Sequence, residues 1–147
     1  MGALTMSKAE REEFLAGVHI GVLSVAVEGN GPLVAPVWYR YEPGDSIRFN
    51  TEEHSEKVAA MKAAGRASFL VQTEAPPYTY VAVEGPVSYE TPDWERDSVG
   101  IAERYLGKEG AQGYLAATGG REGRSASVLV VIKPERWRTT DYRKMGR

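Results

Sequence analysis

The ten residues from Val18 to Val27 include six large apolar side chains (Val18, Ile20, Val22, Leu23, Val25, Val27) and stop at Glu28-Gly-Asn-Gly31, a hairpin-type turn. The run reads as a strand buried on both faces, and the turn sends the chain back along Leu33 to Tyr41. Pro43-Gly-Asp45 reverses it again, and Ile47-Arg-Phe-Asn-Thr51 completes a meander. Three more strands follow, at Ala67 to Thr73, Thr79 to Glu90 and Ala126 to Ile132. Gly85-Pro86 interrupts the long one, as at a barrel corner or bulge. Helical spacing appears at Ser7 to Gly17 and at Ser55 to Ala64, where Gly65 stands ready to end the helix. Thr91-Pro92-Asp93 opens a further helix to about Leu106, and a second helical piece runs from Lys108 to Ala116. Six strands in short succession, with no repeated β-α-β unit, predict a mostly β (α+β), mostly antiparallel barrel spanning 1–147 as one domain.

Composition narrows the chemistry. Without a cysteine, disulfides, thiolate zinc sites and iron–sulfur clusters are excluded, and two distant histidines, His19 and His54, do not make a metal cage. No metal is expected. A net charge of −2, from 18 basic and 20 acidic side chains, leaves no footprint for nucleic acid. No apolar run approaches a membrane span and the opening residues carry no signal-peptide core, so no membrane partner and a cytoplasmic location are expected. The glycine fingerprints of nicotinamide and phosphate-loop enzymes are missing, as are the serine elbow and the zinc-protease helix.

Three segments remain as carriers of chemistry. Asn50-Thr-Glu-Glu-His-Ser-Glu-Lys57 joins a strand end to a helix start, where unpaired backbone donors and the helix dipole favour an anion. Thr51, Ser55 and Lys57 there suit a phosphate. The alternative is that Ser55 only caps the helix, with Glu52, Glu53 and Glu56 crowding the turn. In Ala35-Pro-Val-Trp-Tyr39, Pro36 inside a strand marks an edge, a bulge, or backbone turned toward a flat ligand; Trp38 covering one end of the core is the plainer reading. The tail Arg136-Trp-Arg-Thr-Thr-Asp-Tyr-Arg-Lys144 interleaves aromatic and basic residues, as a planar anion requires or as a solvated end allows. Arg121 and Arg124 in the loop Gly119-Gly-Arg-Glu-Gly-Arg124 are either a basic rim or part of a mobile connection. His19, without a visible partner, is assigned to structure.

In their order and spacing these segments resemble the split β-barrel flavin and deazaflavin oxidoreductases, the superfamily that includes pyridoxamine 5′-phosphate oxidase. The likeness covers Ile20-Gly-Val-Leu-Ser24, Ala35-Pro-Val-Trp-Tyr39, Phe49-Asn-Thr51 with Ser55 and Lys57, Val83-Glu-Gly85, Arg104-Tyr-Leu-Gly107 and Asp141-Tyr-Arg-Lys144. It implies a six-stranded antiparallel split β-barrel with flanking helices, forming a homodimer with cofactor sites at the interface. The cofactor ring is expected on Ala35, Pro36, Val37 and Trp38, its phosphate at Thr51, Ser55 and Lys57, and Asn50 is counted among the cofactor-binding residues beside them. Tyr80, Trp137 and Lys144 are implied where the two subunits approach one site. The subgroup that uses coenzyme F-420, a deazaflavin with a phosphate and an acidic tail, is the most similar.

Pyridoxamine-phosphate oxidases carry Arg-Lys at the phosphate turn, where this chain has Glu56-Lys57, and their arginine-rich substrate strand is not recognisable here. Pyridoxal phosphate synthesis is therefore not implied. The expectation is an F-420-dependent oxidoreductase passing hydride between the ring and a small unsaturated substrate. Its rivals are an FMN enzyme of the same fold and a non-catalytic flavin or deazaflavin carrier. No catalytic residue is assigned, since the cofactor performs the difficult step.

Overall fold

Ser7 caps the first helix, α1 (Lys8–Ala16), by accepting from the Glu10 amide, while Glu10 accepts from the Ser7 amide in return. The computed structural model describes residues 2–146; Met1 and Arg147, part of the expected 1–147 domain, lie outside the described residues. Strands β1 (Gly21–Val25) and β2 (Leu33–Val37) form the first hairpin, followed by β3 (Ile47–Glu52) and α2 (Glu56–Ala64). Strands β4 (Arg66–Gln72) and β5 (Thr79–Glu90) lead to α3 (Gly100–Ala117), then β6 (Ser127–Ile132) and β7 (Arg136–Asp141). Every pairing is antiparallel, in the order β2-β1-β4-β5-β6-β3, and a two-way bridge between Arg40 and Arg48 joins the chain beyond β2 to β3, closing the circuit. The predicted antiparallel split barrel with flanking helices is present. Among the described residues no helix is long and apolar enough to cross a membrane.

Strand β5 makes closure possible by serving two sheets. Residues 80–86 pair with β4 and residues 87–90 with β6. The change of partner falls at Gly85-Pro86, as the sequence predicts. A Cβ on Gly85 would overlap the Lys133 carbonyl oxygen, so only glycine lets that backbone pass. The Lys133 amide donates to the Pro86 carbonyl at 3.1 Å and the Glu135 amide to the Glu84 carbonyl at 2.9 Å, fixing the crossing.

The structure corrects the sequence reading at three points. First, the tail is a seventh strand: β7 pairs with β5 from Glu84↔Arg136 to Thr79↔Asp141. It turns Trp137, Thr139 and the buried Asp141 inward, while Arg136 and Arg138 both approach Glu84 outside. Second, the segment from Val18 is not buried on both faces. Only Gly21, Leu23 and Val25 are buried, whereas Val18 and Ile20 are 58% and 50% exposed, because among the described residues no element covers that outer face. Third, Thr91-Pro92 does not open the helix. Asp93 is the cap, accepting from the Arg96 amide at 2.8 Å, and a wide π-helical turn, Trp94–Val99, leads into α3.

Inside the barrel Tyr39, Phe49, Phe69, Leu23, Ile47 and Ile132 are almost wholly buried. The Tyr39 hydroxyl donates to the Leu15 carbonyl at 2.6 Å, so this buried donor is paired, and burial pushes its pKa up. Lys144 closes the chain ends by donating to the Thr5 carbonyl and to Glu10, at 3.0 and 2.9 Å.

Gly85→Ala is expected to lower unfolding free energy by about 3 kcal/mol, the upper end for forced overpacking, in urea titration. The Ser7 amide first, and the Lys144 ammonium next, hold the Glu10 carboxyl at about 2 instead of its ordinary 4.5. Folding lowers this pKa, so the contact stabilises fully above pH 4.5 and is lost as pH falls toward 2. The difference in urea midpoint between wild type and Glu10→Gln is therefore expected to be largest at neutral pH and to close by about pH 2.

Candidate functional site

Pro36 donates nothing to a ladder, and β2 accordingly pairs only with β1 as far as Val37, leaving its other edge open. That edge forms one wall of a cavity of about 530 Å³, with Pro36, Val37 and Trp38 upon it. The end of β3 adds Asn50 and Thr51, the first turn of α2 adds Lys57, and the π-helical turn adds Ser98. Ile101 and Ala102 come from the start of α3, and Ile20 from the approach to β1.

Helix α3 bends over this space because Gly107 takes φ 75°, ψ 173°, open only to glycine. The sequence predicts separate helical pieces on either side of this point, and the break is there. Beyond it Tyr114 and Leu115 roof the cavity. Trp38 stacks on Tyr105 from before the break, with centroids 5.0 Å apart and planes 10° off parallel, and meets Tyr114 from after it at 5.2 Å. The Tyr105 hydroxyl donates to the His19 carbonyl at 2.6 Å and accepts from the Tyr39 amide at 3.1 Å. His19 itself bonds the Phe14 carbonyl and stacks on Phe14, with a pKa lowered chiefly by burial, so it is structural as expected.

The cavity is electrostatically one-sided. Lys57 and Arg124 line it, and among the described residues no carboxylate or histidine does. Lys57 makes no ion pair with any described residue. Arg124 is held at the rim by donating to the Thr118 hydroxyl at 2.6 Å and the Gly120 carbonyl at 3.0 Å, and it lies over Tyr114. Glu52, Glu53 and Glu56 stand outside, exposed to water. A second depression, of about 320 Å³, adjoins the cavity: it shares Ser98 and Arg124 and adds Trp94 and Arg121. Asn50 contributes a different feature. Its Nδ2 donates to the Asp97 carbonyl at 2.7 Å, while its Oδ1 is buried without a partner.

Of the residues singled out in the sequence, Pro36, Val37, Trp38, Asn50, Thr51 and Lys57 are brought together here. Ala35 is in the same strand, opposite Leu23, but off the wall. Ser55 is the cap of α2, its Oγ accepting from the Val58 amide at 3.3 Å and lying 3.5 Å from the Thr51 hydroxyl. Tyr80, Trp137 and Lys144 are not brought to this cavity within the chain. Tyr80 is half-buried on the outer sheet face; Trp137 packs against Tyr41 beneath the Arg11 guanidinium; Lys144 is engaged with Thr5 and Glu10. Sequence reasoning missed Ser98, Ile101, Ala102, Tyr114 and Leu115. The spacing Ser98, Ile101, Ala102 marks one helical face, but periodicity alone does not separate a cavity wall from a core face.

Comparison with known proteins adds to this geometry. A family model described as pyridoxamine 5′-phosphate oxidase matches residues 7–141. Among solved structures, a conserved hypothetical protein from Mycobacterium tuberculosis is similar over 100% of this chain and 92% of its own, at 25% identity and a TM-score of 0.79. An F-420 reductase superposes with a TM-score of 0.67 at 21% identity, over 86% of this chain and 94% of its own. A FAD-binding protein from Mesorhizobium loti does so at 0.63 and 20%, over 91% and 94%. No curated protein matches the sequence. The last two likenesses concern the fold.

Gly107→Ala is expected to cost about 1–3 kcal/mol of stability, the range for a residue forced into sparsely populated backbone, read as a lowered melting temperature.

Proposed function

The chain belongs to the pyridoxamine 5′-phosphate oxidase family, and on that premise we propose that its cavity binds a flavin-type cofactor, coenzyme F-420 foremost, in a homodimeric, cytoplasmic oxidoreductase. The observation that carries the reading is a cavity with a flat, apolar, edge-strand wall and two cations unopposed by any carboxylate on its lining. These residues fit the group: an aromatic and aliphatic wall for a ring, a hydroxyl and an ammonium for a phosphate, and a buried acceptor at Asn50 that lacks a donor. When bound, the cofactor ring supplies the hydride chemistry toward a small unsaturated substrate. The chain's own residues bind and orient. Pro36, Val37 and Trp38 seat the ring, Thr51 and Lys57 hold the phosphate, and Ile20, Ile101 and Leu115 keep water out of the space between.

The adjoining depression favours F-420 over FMN, because Arg124 and Arg121 continue the cationic lining beyond the phosphate turn, where an acidic tail is charge-complementary. A second copy is the proposed cover for the outer sheet face, where Val34 is 62% exposed beside Pro36, Val22, Leu70 and Ala82. Pro36 belongs to that face and to the cavity wall alike. Tyr80 stands on the same face, so pairing two copies brings it toward the partner's ring.

Titration with F-420 and with FMN, followed by tryptophan quenching at Trp38, tests this. Saturable binding of F-420 in preference to FMN is expected, and binding of neither overturns the reading. Lys57→Ala is expected to weaken F-420 binding by about 1.5–3 kcal/mol, the value of a charge-assisted hydrogen bond, or about 10–150-fold. Arg121→Gln is expected to weaken F-420 and leave FMN unchanged; equal affinities for wild type and variant favour the FMN enzyme.

A further inference from the structure

The buried carboxylate of Asp97 lies one residue from the cavity wall and has no place in the chemistry so far described. It is wholly buried and accepts from Arg40 Nε at 2.9 Å, from Arg96 Nε and Nη2 at 3.1 and 2.9 Å, and from the Asp93 amide at 2.8 Å. Burial works against its ionised form, but these hydrogen bonds outweigh burial and hold the carboxyl below its ordinary value. Arg40 follows the ring-facing strand by two residues beyond Trp38, and its backbone bridges Arg48, two residues before Asn50. One carboxylate thus joins both strands of the cavity wall to the π-helical turn that carries Ser98.

The Asp97 peptide reaches the cavity through Asn50. By accepting from Asn50 Nδ2 at 2.7 Å, the Asp97 carbonyl fixes which way the amide faces and leaves Oδ1 as an acceptor only. That oxygen is buried, lacks a partner and belongs to a side chain on the cavity wall. An unpaired buried acceptor is costly, and an occupant that brings an N–H or O–H relieves the cost. A phosphate oxygen does not. Asn50 is therefore chemically unlike its neighbour Thr51, although the two are adjacent in the sequence.

We propose that Asp97 is a positioning residue: by locking the turn before α3, it holds the Asn50 carbonyl oxygen as a fixed acceptor that selects a donor-bearing part of the cofactor, its ring imide or ribityl hydroxyls. This rests on the cofactor reading above and gives the cavity two polar stations of opposite preference. Thr51 and Lys57 take the anion, and Asn50 takes a donor.

Ligand dissection and a double-mutant cycle test it on the full-length protein. The probes are F-420 and its phosphate-free counterpart, the deazaflavin ring with the ribityl chain alone. Asn50→Leu is expected to weaken both probes by the same factor, about tenfold, whereas Lys57→Ala weakens F-420 alone. Asp97→Asn is expected to weaken both probes about fivefold in the wild-type background and to have no further effect in Asn50→Leu, since it acts through that side chain. Additive effects of the two substitutions, an effect on F-420 alone, or no effect overturns the proposal. Should Asp97→Asn fail to fold, judged by circular dichroism, Arg40→Gln takes its place in the cycle. If wild type prefers FMN, FMN and riboflavin replace the two probes. Failure of wild type to bind either pair overturns the cofactor reading and this one together; binding with an additive cycle overturns this one alone.

Discussion

The barrel depends on one backbone crossing. Strand β5 belongs to both of its halves, and the switch between partners requires the Lys133 carbonyl to occupy the space a side chain on residue 85 would fill. Everything that positions the cavity follows from that corner. Because β5 bends there, β6 can lie beside β3, and β3 can deliver Asn50 and Thr51 opposite the open edge of β2. A barrel without the corner leaves β2 and β3 as distant edges of an open sheet.

Polar groups around the cavity are divided by burial. Carboxylates near it are kept off its lining: Asp97 is consumed by two guanidinium groups and an amide, while Glu52, Glu53 and Glu56 face solvent. Cations are left on the lining instead. The result is a positive space in a chain whose net charge is −2, so the local field and the overall charge have opposite signs. Composition gives no hint of such a space, since only the fold sorts the charges.

Much of the fold was legible because its signals are local. The cap at Ser55, the left-handed Gly65 that ends α2, the corner at Gly85-Pro86 and the helix break at Gly107 each follow from the conformational limits of one or two residues. The edge strand marked by Pro36 was legible for the same reason. Strand β7 was not, because its inward residues, Trp137, Thr139 and Asp141, include two polar ones with distant partners: Thr139 accepts from the Met6 amide and Asp141 from the Thr79 hydroxyl, beside its neighbour Arg143. Part of the cavity wall escaped for a related reason. Ile101, Ala102 and Leu115 are apolar helix residues whose role is set by what lies across from them, and a linear reading holds no information about that. The three residues that the resemblance implies for a subunit interface, Tyr80, Trp137 and Lys144, are not brought to the cavity within this chain.

The two halves of α3, on either side of the Gly107 break, share a small core of their own. Ala102, Ala111 and Leu115 pack with Trp94 and Val99 as a small cluster apart from the barrel interior. Changes at Tyr114 or Leu115 therefore reshape the roof of the cavity while the barrel's own packing is spared. Such an arrangement separates evolvability from stability: a lineage can explore new cavity shapes by altering one short helical segment, at little risk to the scaffold that holds the rest of the site.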